Sequence, residues 1–390
     1  MEQSDRFKHG PCRRAREITP FLVMDILERA KELERQGEQI IHLEIGEPDF
    51  ATPAVVKDAA YRAMAAGLTQ YTQSQGLIEL REALSQHYLE KYKVWVKPEQ
   101  FIVTSGTSPA MVLIFAGLLD PGDEVLLTDP HYACYPNFVR LVDAVSRYVP
   151  VAEADGFQLR PEELGPYLTA RTKAIIINSP ANPTGTLLSA DRMARLAELG
   201  PHIISDEIYH GLVYEGREHS ILEFTDRAFV INGFSKLYAM TGWRLGYLIA
   251  PEDFIRPLQK LMQNFFISAN SFVQLAGIAA LTQAGPEIEK MRAAYDARRR
   301  FLLAGLAKLG FHLPVEPTGA FYAFVNARHL SQDSYALAFD ILEKAKVGVT
   351  PGIDFGQGGE GFLRFSYANS MENLAEALTR LATYLAGRPG

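Results

Sequence analysis

The chain has 390 residues, 47% hydrophobic and 22% charged, with 39 basic against 46 acidic side chains and a formal net charge of −7. A chain of this length buries a large core without disulfides or metals, and its acidic balance argues against a general nucleic-acid binder. Its 2 cysteines, Cys12 and Cys134, exclude a disulfide scaffold and a four-cysteine zinc site, and fit a reducing, cytoplasmic compartment.

Residues 1–19 read as a solvated, partly disordered arm. Arg6, Lys8, Arg13, Arg14 and Arg16 are followed by no apolar stretch that could act as a signal sequence, and Glu2, Asp5 and Glu17 argue against a transit peptide. Leu22, Val23, Ile26, Leu27, Ala30 and Leu33 then form an apolar stripe at helical spacing. Ile40, Ile41 and Leu43 lead into the turn Gly46-Glu47-Pro48-Asp49, and helices are expected near 53–66 and 77–92. Short apolar runs follow at 101–104, 124–128, 145–149, 173–177, 202–205, 228–232 and 245–249. Several are rich in Val and Ile and lie between helical patterns, as buried strands of a mostly parallel sheet do.

Beyond residue 252 the pattern changes to two long helical stretches, 252–283 and 286–308, then a strand near 320–325, a helix near 333–345, a strand near 362–367 and a helix at 371–386. The uncharged run Leu261–Pro286 has enough residues to cross a bilayer, but Gln263, Asn264, Ser268, Asn270, Ser271 and Gln274 would be costly in lipid. No membrane association is expected. The sum is an α/β protein: a large domain with a mostly parallel seven-stranded sheet between helices, and a smaller α+β domain built from the N- and C-terminal parts. The expected divisions are an arm at 1–19, small-domain parts at 20–50 and 286–390, and the large domain at 51–285, with the N-terminal helix packed on the C-terminal part.

Among the motifs, Gly356-Gln357-Gly358-Gly359-Glu360-Gly361 matches a dinucleotide fingerprint on paper. That fingerprint must follow a strand and open a helix, whereas here a Pro/Gly-rich loop precedes and a strand follows, so a flexible loop is expected. The histidines do not pair at metal-ligand spacing, and no metal site is expected. Four segments carry more. Val103-Thr104-Ser105-Gly106-Thr107-Ser108-Pro109 joins a strand to a helix, with small residues and free N–H groups that attract a phosphate or merely cap the helix. The loop Asn178–Gly185 leaves a strand at its carboxyl end, where open α/β sheets bind ligands. Asp206 ends an apolar strand and needs a cationic partner or water. Lys236, in Gly233-Phe234-Ser235-Lys236, lies just past another strand. It is either a solvated charge or, in an apolar pocket, an amine able to form a Schiff base.

Asn182-Pro183-Thr184-Gly185, Asp206-Glu207-Ile208-Tyr209 and Ser235-Lys236, in this order and spacing, resemble the pyridoxal-phosphate aminotransferases of fold type I, class I/II. The resemblance runs from the helix before Gly46-Glu47-Pro48-Asp49-Phe50 to the strand with Arg364. Met240-Thr241-Gly242-Trp243-Arg244 is similar to a largely prokaryotic subgroup with aspartate, aromatic and alanine enzymes. The resemblance implies pyridoxal 5′-phosphate as cofactor, held covalently by Lys236, with Asp206 on its pyridine nitrogen and Tyr209 and Asn182 on its phenolic oxygen. Tyr132 would stack on the ring. Ser105, Gly106, Thr107, Ser235 and Arg244 would hold the phosphate, joined by Tyr71 of a second subunit, so a homodimer with shared sites is implied. Arg364 and Gly46, with Asn182, would bind the substrate carboxylate. The implied reaction is a ping-pong exchange between an amino acid and a 2-oxo acid, with Lys236 as the proton carrier.

Two departures bear on the substrate. Aspartate enzymes of this subgroup carry a lysine where this chain has Ser108, and a small polar residue where it has Phe21. With Leu22 and Val23 adjacent, that edge reads as apolar. A neutral or aromatic donor, with alanine among the candidates, is expected, with 2-oxoglutarate as acceptor. Gly233 stands where many relatives have a hydroxyl on the phosphate, which implies a modestly weaker grip. The alternatives are an aspartate-preferring aminotransferase and a carbon–sulfur β-lyase on the same fold. A transcription regulator would need a DNA-binding domain ahead of residue 20.

Overall fold

The computed structural model describes residues 10–313 and 315–388. Seven strands form the large sheet: β2 (Phe101–Thr104), β3 (Glu124–Asp129), β4 (Val145–Pro150), β5 (Thr172–Asn178), β6 (His202–Asp206), β7 (Phe229–Gly233) and β8 (Gly246–Ile249). Their order is β2-β8-β7-β6-β5-β3-β4. Only β8 runs against its two neighbours, and every other pairing is parallel. The shorter strands are β1 (Ile41–His42), β9 (Tyr322–Asn326), β10 (Val347–Gly348), β11 (Thr350–Pro351) and β12 (Phe362–Ser366).

The period of two along each large-sheet strand sorts its side chains into two cores. Val103, Leu126, Ile175, Ile177, Ile203, Val230 and Tyr247 enter one layer. Ile102, Val125, Leu127, Ala174, Ile176, Ile204 and Leu248 enter the other. Both faces are covered, which is why these strands read as continuous apolar runs. The parallel strands all end on one side of the sheet, and Thr104, Asp129, Pro150, Asn178, Asp206 and Gly233 are their last residues.

The smaller unit joins the two ends of the chain. β1 pairs parallel with β10, and β12 lies antiparallel between β11 and β9. The helix Leu22–Arg35 docks on the C-terminal part through Arg29–Glu343 and a 3.1 Å hydrogen bond from Tyr335 to Asp25. The expected packing of that helix is therefore present.

Three expectations need correction. The helix at 252–283 is two helices, Glu252–Phe265 and Ser271–Gln283. The chain turns between them with Ile267 at φ 67°, a conformation that apolar periodicity alone does not reveal. The arm, expected to be solvated and partly disordered, contains the exposed helix Arg13–Glu17, tied down by Arg14 on the Leu141 carbonyl and by Glu17–Arg140. Residues 1–9, with Arg6 and Lys8, lie outside the described residues. The loop 356–361 is closely packed rather than flexible: Gly358 N–H donates to Asp129 Oδ1 at 2.8 Å, and a Cβ at Gly358 would stand 2.6 Å from the Asp129 carbonyl oxygen.

Candidate active site

The strand ends and the smaller unit enclose a cavity of about 360 Å³. Of the residues expected from the sequence, Gly46, Thr107, Tyr132, Asn182, Asp206, Tyr209, Ser235, Lys236, Arg244 and Arg364 line it. Ser105 and Gly106 do not line it directly, but form the turn into the helix Thr107–Leu118, which brings Thr107 and Ser108 to the wall. Tyr71 is 81% exposed and does not reach this chain's own cavity.

Lys236 follows β7 and donates from Nζ to the Gly46 carbonyl at 2.6 Å. Burial pushes its amine down to about 8, against the opposing pull of Glu47. Asp206 ends β6 and is buried. It accepts from Tyr135 Oη at 2.8 Å and from the Ile208 N–H at 3.2 Å. Burial still raises its carboxyl to about 6, so a cation arriving there would relieve an unfavourable charge.

Arg364 comes from the middle of β12 and is 3% exposed. Its Nη1 donates to Asn182 Oδ1 at 2.8 Å, and its Nη2 to the Glu44 carbonyl at 2.6 Å and to Thr350 Oγ1 at 3.0 Å. All three acceptors are neutral, and the buried Nε has no partner among the described residues. The guanidinium lies 4.4 Å from the Tyr322 ring centre and 5.0 Å from that of Phe355. A buried guanidinium with no carboxylate partner is a receptor for an anion.

Close backbone packing builds the other end. Gly106, the residue before the helix Thr107–Leu118, has φ 94°, and a Cβ there would overlap the Arg244 guanidinium. Glycine therefore lets Arg244 lie beside the free N–H groups of the helix start, a site suited to phosphate. A Cβ at Gly233 would stand 3.0 Å from both Gly246 Cα and the Leu245 carbonyl oxygen. The missing hydroxyl there thus accompanies tight packing of β7 on β8.

Sequence reasoning missed Tyr322 and Tyr135. Tyr322 Oη shares a 2.8 Å hydrogen bond with Tyr209 Oη. Both tyrosines sit in apolar surroundings that read as core, and only the Tyr132-x-x-Tyr135 spacing hinted at the second. On the apolar edge, Phe21, Val23, Met24, Met111 and Phe138 line the cavity, but Leu22 does not. Phe21 stands edge-on to Tyr132 with ring centres 6.2 Å apart.

The buried amine, the buried acid and the phosphate-type helix start fit a phosphorylated pyridine aldehyde, and comparison with known proteins agrees. The family model for aminotransferase class I and II matches residues 38–381, and the chain belongs to that family of pyridoxal-phosphate-dependent transaminases. It is 42% identical to a (5-formylfuran-3-yl)methyl phosphate transaminase of Methanocaldococcus jannaschii over 94% of this chain and 96% of that one. It is 39% identical to the aspartate/prephenate aminotransferase of Thermus thermophilus over 96% and 99%. A solved Methanococcus jannaschii structure, described as similar in its active site to kynurenine aminotransferases, superposes with a TM-score of 0.90 at 42% identity, covering 96% of this chain and all of that one.

Proposed function

We propose that this aminotransferase takes an L-amino acid with a neutral or aromatic side chain, alanine included, and passes its amino group to a 2-oxo acid such as 2-oxoglutarate. The observation that carries the reading is the composition of the cavity wall. Its cations among the described residues are Lys236 and Arg364 at the reacting end and Arg244 at the phosphate end, while the remaining edge holds Phe21, Val23, Met24, Met111 and Phe138 with Ser108. A second carboxylate on the donor would meet no cation there, and an aromatic ring would meet apolar surface.

When bound, pyridoxal phosphate supplies an electrophilic carbon and an electron-accepting ring. Asp206 would hold its pyridine nitrogen, Tyr209 and Asn182 its phenolic oxygen, and Ser105, Gly106, Thr107, Ser235 and Arg244 its phosphate. Tyr132 would cover its face. Arg364 would take the substrate carboxylate on its fork, with Gly46 and Asn182 beside it. The Lys236 amine, buried and shifted towards neutrality, would take the proton from the substrate α-carbon and return it two bonds away, across the nitrogen.

The reading extends to assembly. Tyr61, Met64, Leu68, Tyr71, Phe265 and Ile267 are large apolar side chains that a single chain leaves exposed, and a second copy covering them would bring its Tyr71 to the phosphate end. We also retain the division into 20–50 with 286–390 against 51–285, and a cytoplasmic location on the strength of the 2 free cysteines.

The names of the relatives favour aspartate as a second reading. A single-turnover absorbance scan decides: alanine, phenylalanine, aspartate, glutamate and a cysteine conjugate are added singly to the cofactor-loaded protein. The proposal expects phenylalanine or alanine to convert the cofactor to its pyridoxamine form, reversed by 2-oxoglutarate. Faster conversion by aspartate supports the second reading. Release of pyruvate with unaided return of the original spectrum would make the protein a β-lyase.

A further inference from the structure

Outside the cavity, His42 at the end of β1 is held between two carboxylates. Its Nδ1 lies 2.6 Å from Glu44 Oε1 and its Nε2 lies 3.0 Å from Glu34 Oε1. An ionised carboxylate only accepts, and a neutral imidazole donates from one nitrogen alone. With both carboxyls ionised, satisfying both contacts takes a proton on each nitrogen, that is, an imidazolium. Glu44 first, and Glu34 after it, hold the ring's pKa above the ordinary histidine value against the cost of burial.

The two carboxylates lead to different parts of the site. Glu44 is fully buried, its Oε2 has no partner, and a Cβ at Gly348 would overlap it. Glycine on β10 therefore leaves room for a carboxylate whose compensating charge is His42. The Glu44 backbone carbonyl is the acceptor for Arg364 Nη2 at 2.6 Å and for Thr350 Oγ1 at 3.0 Å. Glu34 lies in the last turn of the helix Leu22–Arg35, whose first turn supplies Val23 and Met24 to the cavity wall.

We propose that His42, as an imidazolium bridging Glu34 and Glu44, is a positioning residue for the substrate carboxylate: it holds the Glu44 carbonyl against Arg364 and pins the helix that walls the cavity. This rests on the reading of Arg364 as the carboxylate receptor. The charged groups around the ring are Glu44 on its own segment and Glu34 and Lys31 on the helix, with Lys31 Nζ 2.8 Å from Glu34 Oε2. Lys346, at the head of the paired strand β10, is engaged by Glu38 at 3.0 Å, and the neutral Asn369 donates to the His42 carbonyl at 3.0 Å. The bridge is complete below the raised pKa of the ring. It is lost as pH rises through that value, because the neutral ring turns a lone pair towards one carboxylate.

The test measures binding of 3-phenylpropionate, a carboxylate without an amine, to the cofactor-loaded enzyme by absorbance between about pH 5 and 9, a range that spans histidine titration. The variants are His42→Gln, the double variant His42→Gln/Glu44→Gln, and Arg364→Gln. His42→Gln is expected to weaken binding about tenfold at the acid end, the scale of one hydrogen bond to a charged group, and to remove most of the wild-type loss at high pH. The double variant is expected to recover most of the affinity, because it removes the buried charge that needs the imidazolium. A double variant as weak as His42→Gln overturns the proposal. So does a His42→Gln enzyme with the wild-type affinity and pH profile while Arg364→Gln is weakened. If Arg364→Gln itself binds like wild type, the carboxylate reading of Arg364 fails first. Should His42→Gln alone not fold, a folded, tight-binding double variant supports the bridge.

Discussion

Arg364 Nη1 donates to Asn182 Oδ1 at 2.8 Å across 182 positions of chain. The bond joins the loop after β5 of the large sheet to β12 of the smaller unit, and so places the anion receptor over the ends of the parallel strands. It also leaves the Asn182 amide group free to donate to a second acceptor. The neighbouring contacts on the Glu44 carbonyl and Thr350 hold the guanidinium plane without neutralising it.

Arg364→Lys keeps the charge and loses the planar fork. KM for both the amino acid and the oxo acid should rise about 10–100-fold, with a smaller change in kcat, as expected when charge-assisted hydrogen bonds are lost. Steady-state kinetics on each half-reaction checks it. An unchanged KM would remove Arg364 from carboxylate binding.

Lys236→Ala should fold normally and lose turnover by at least about 10⁴-fold, since it removes both the attachment point and the proton carrier. Circular dichroism and a single-turnover assay separate the two effects. Wild-type rates would exclude Lys236 from the mechanism.

A Cβ at Gly46 would overlap the Tyr322 hydroxyl, which is itself bonded to Tyr209. Gly46→Ala should therefore cost about 1–3 kcal/mol of stability, the range for overpacking, and also lower activity by moving the backbone carbonyl that Lys236 touches. Thermal melting with kinetics tests the pair of effects. A variant with wild-type stability would show that Tyr322 can move without penalty.

Glu207 follows Asp206 but is buried away from the cavity, where Oε1 accepts from Ser205, Ser220 and the Ile221 N–H. Burial raises its carboxyl to about 8 despite those donors. The folded chain then holds a proton that the unfolded chain releases near the usual carboxylate value. This contribution to stability is full at acid pH and falls as pH rises through the folded value. Glu207→Gln should remove that slope, gaining stability relative to wild type as pH rises from about 5 to 8 and levelling off above. Melting temperatures across that range measure it. A constant difference would mean that Glu207 is ionised in the fold.

Ser108→Lys would place a cation at the apolar edge of the cavity. The kcat/KM ratio of aspartate to phenylalanine should increase by at least about tenfold, the scale of one new charged contact. Competition between the two donors measures the ratio directly. No change would mean that the donor side chain does not reach residue 108.

The chain itself determined the layered fold, because strands buried on both faces must be continuous apolar runs and the helices between them must carry one apolar stripe. It also determined the residues whose chemistry is costly to bury, Lys236 and Asp206, since one lies just past an apolar strand and the other ends one, where an unpaired charge demands a reason. The tertiary structure alone decided what those charges meet. Tyr322 and Tyr135 are indistinguishable from core aromatics until β9 and the helix Tyr135–Leu141 turn their hydroxyls towards Tyr209 and Asp206. The break at Ile267 was missed although Ser268, Asn270 and Ser271 stand beside it, because scattered polar residues in an uncharged run fit a helix surface as well as a turn. The partners of the His42 bridge, Glu34 and Glu44, are near it in the chain, but only the fold turns the helix Leu22–Arg35 back onto β1 and sets Gly348 of β10 beside Glu44, and a period of two or 3.6 residues carries no information about either contact.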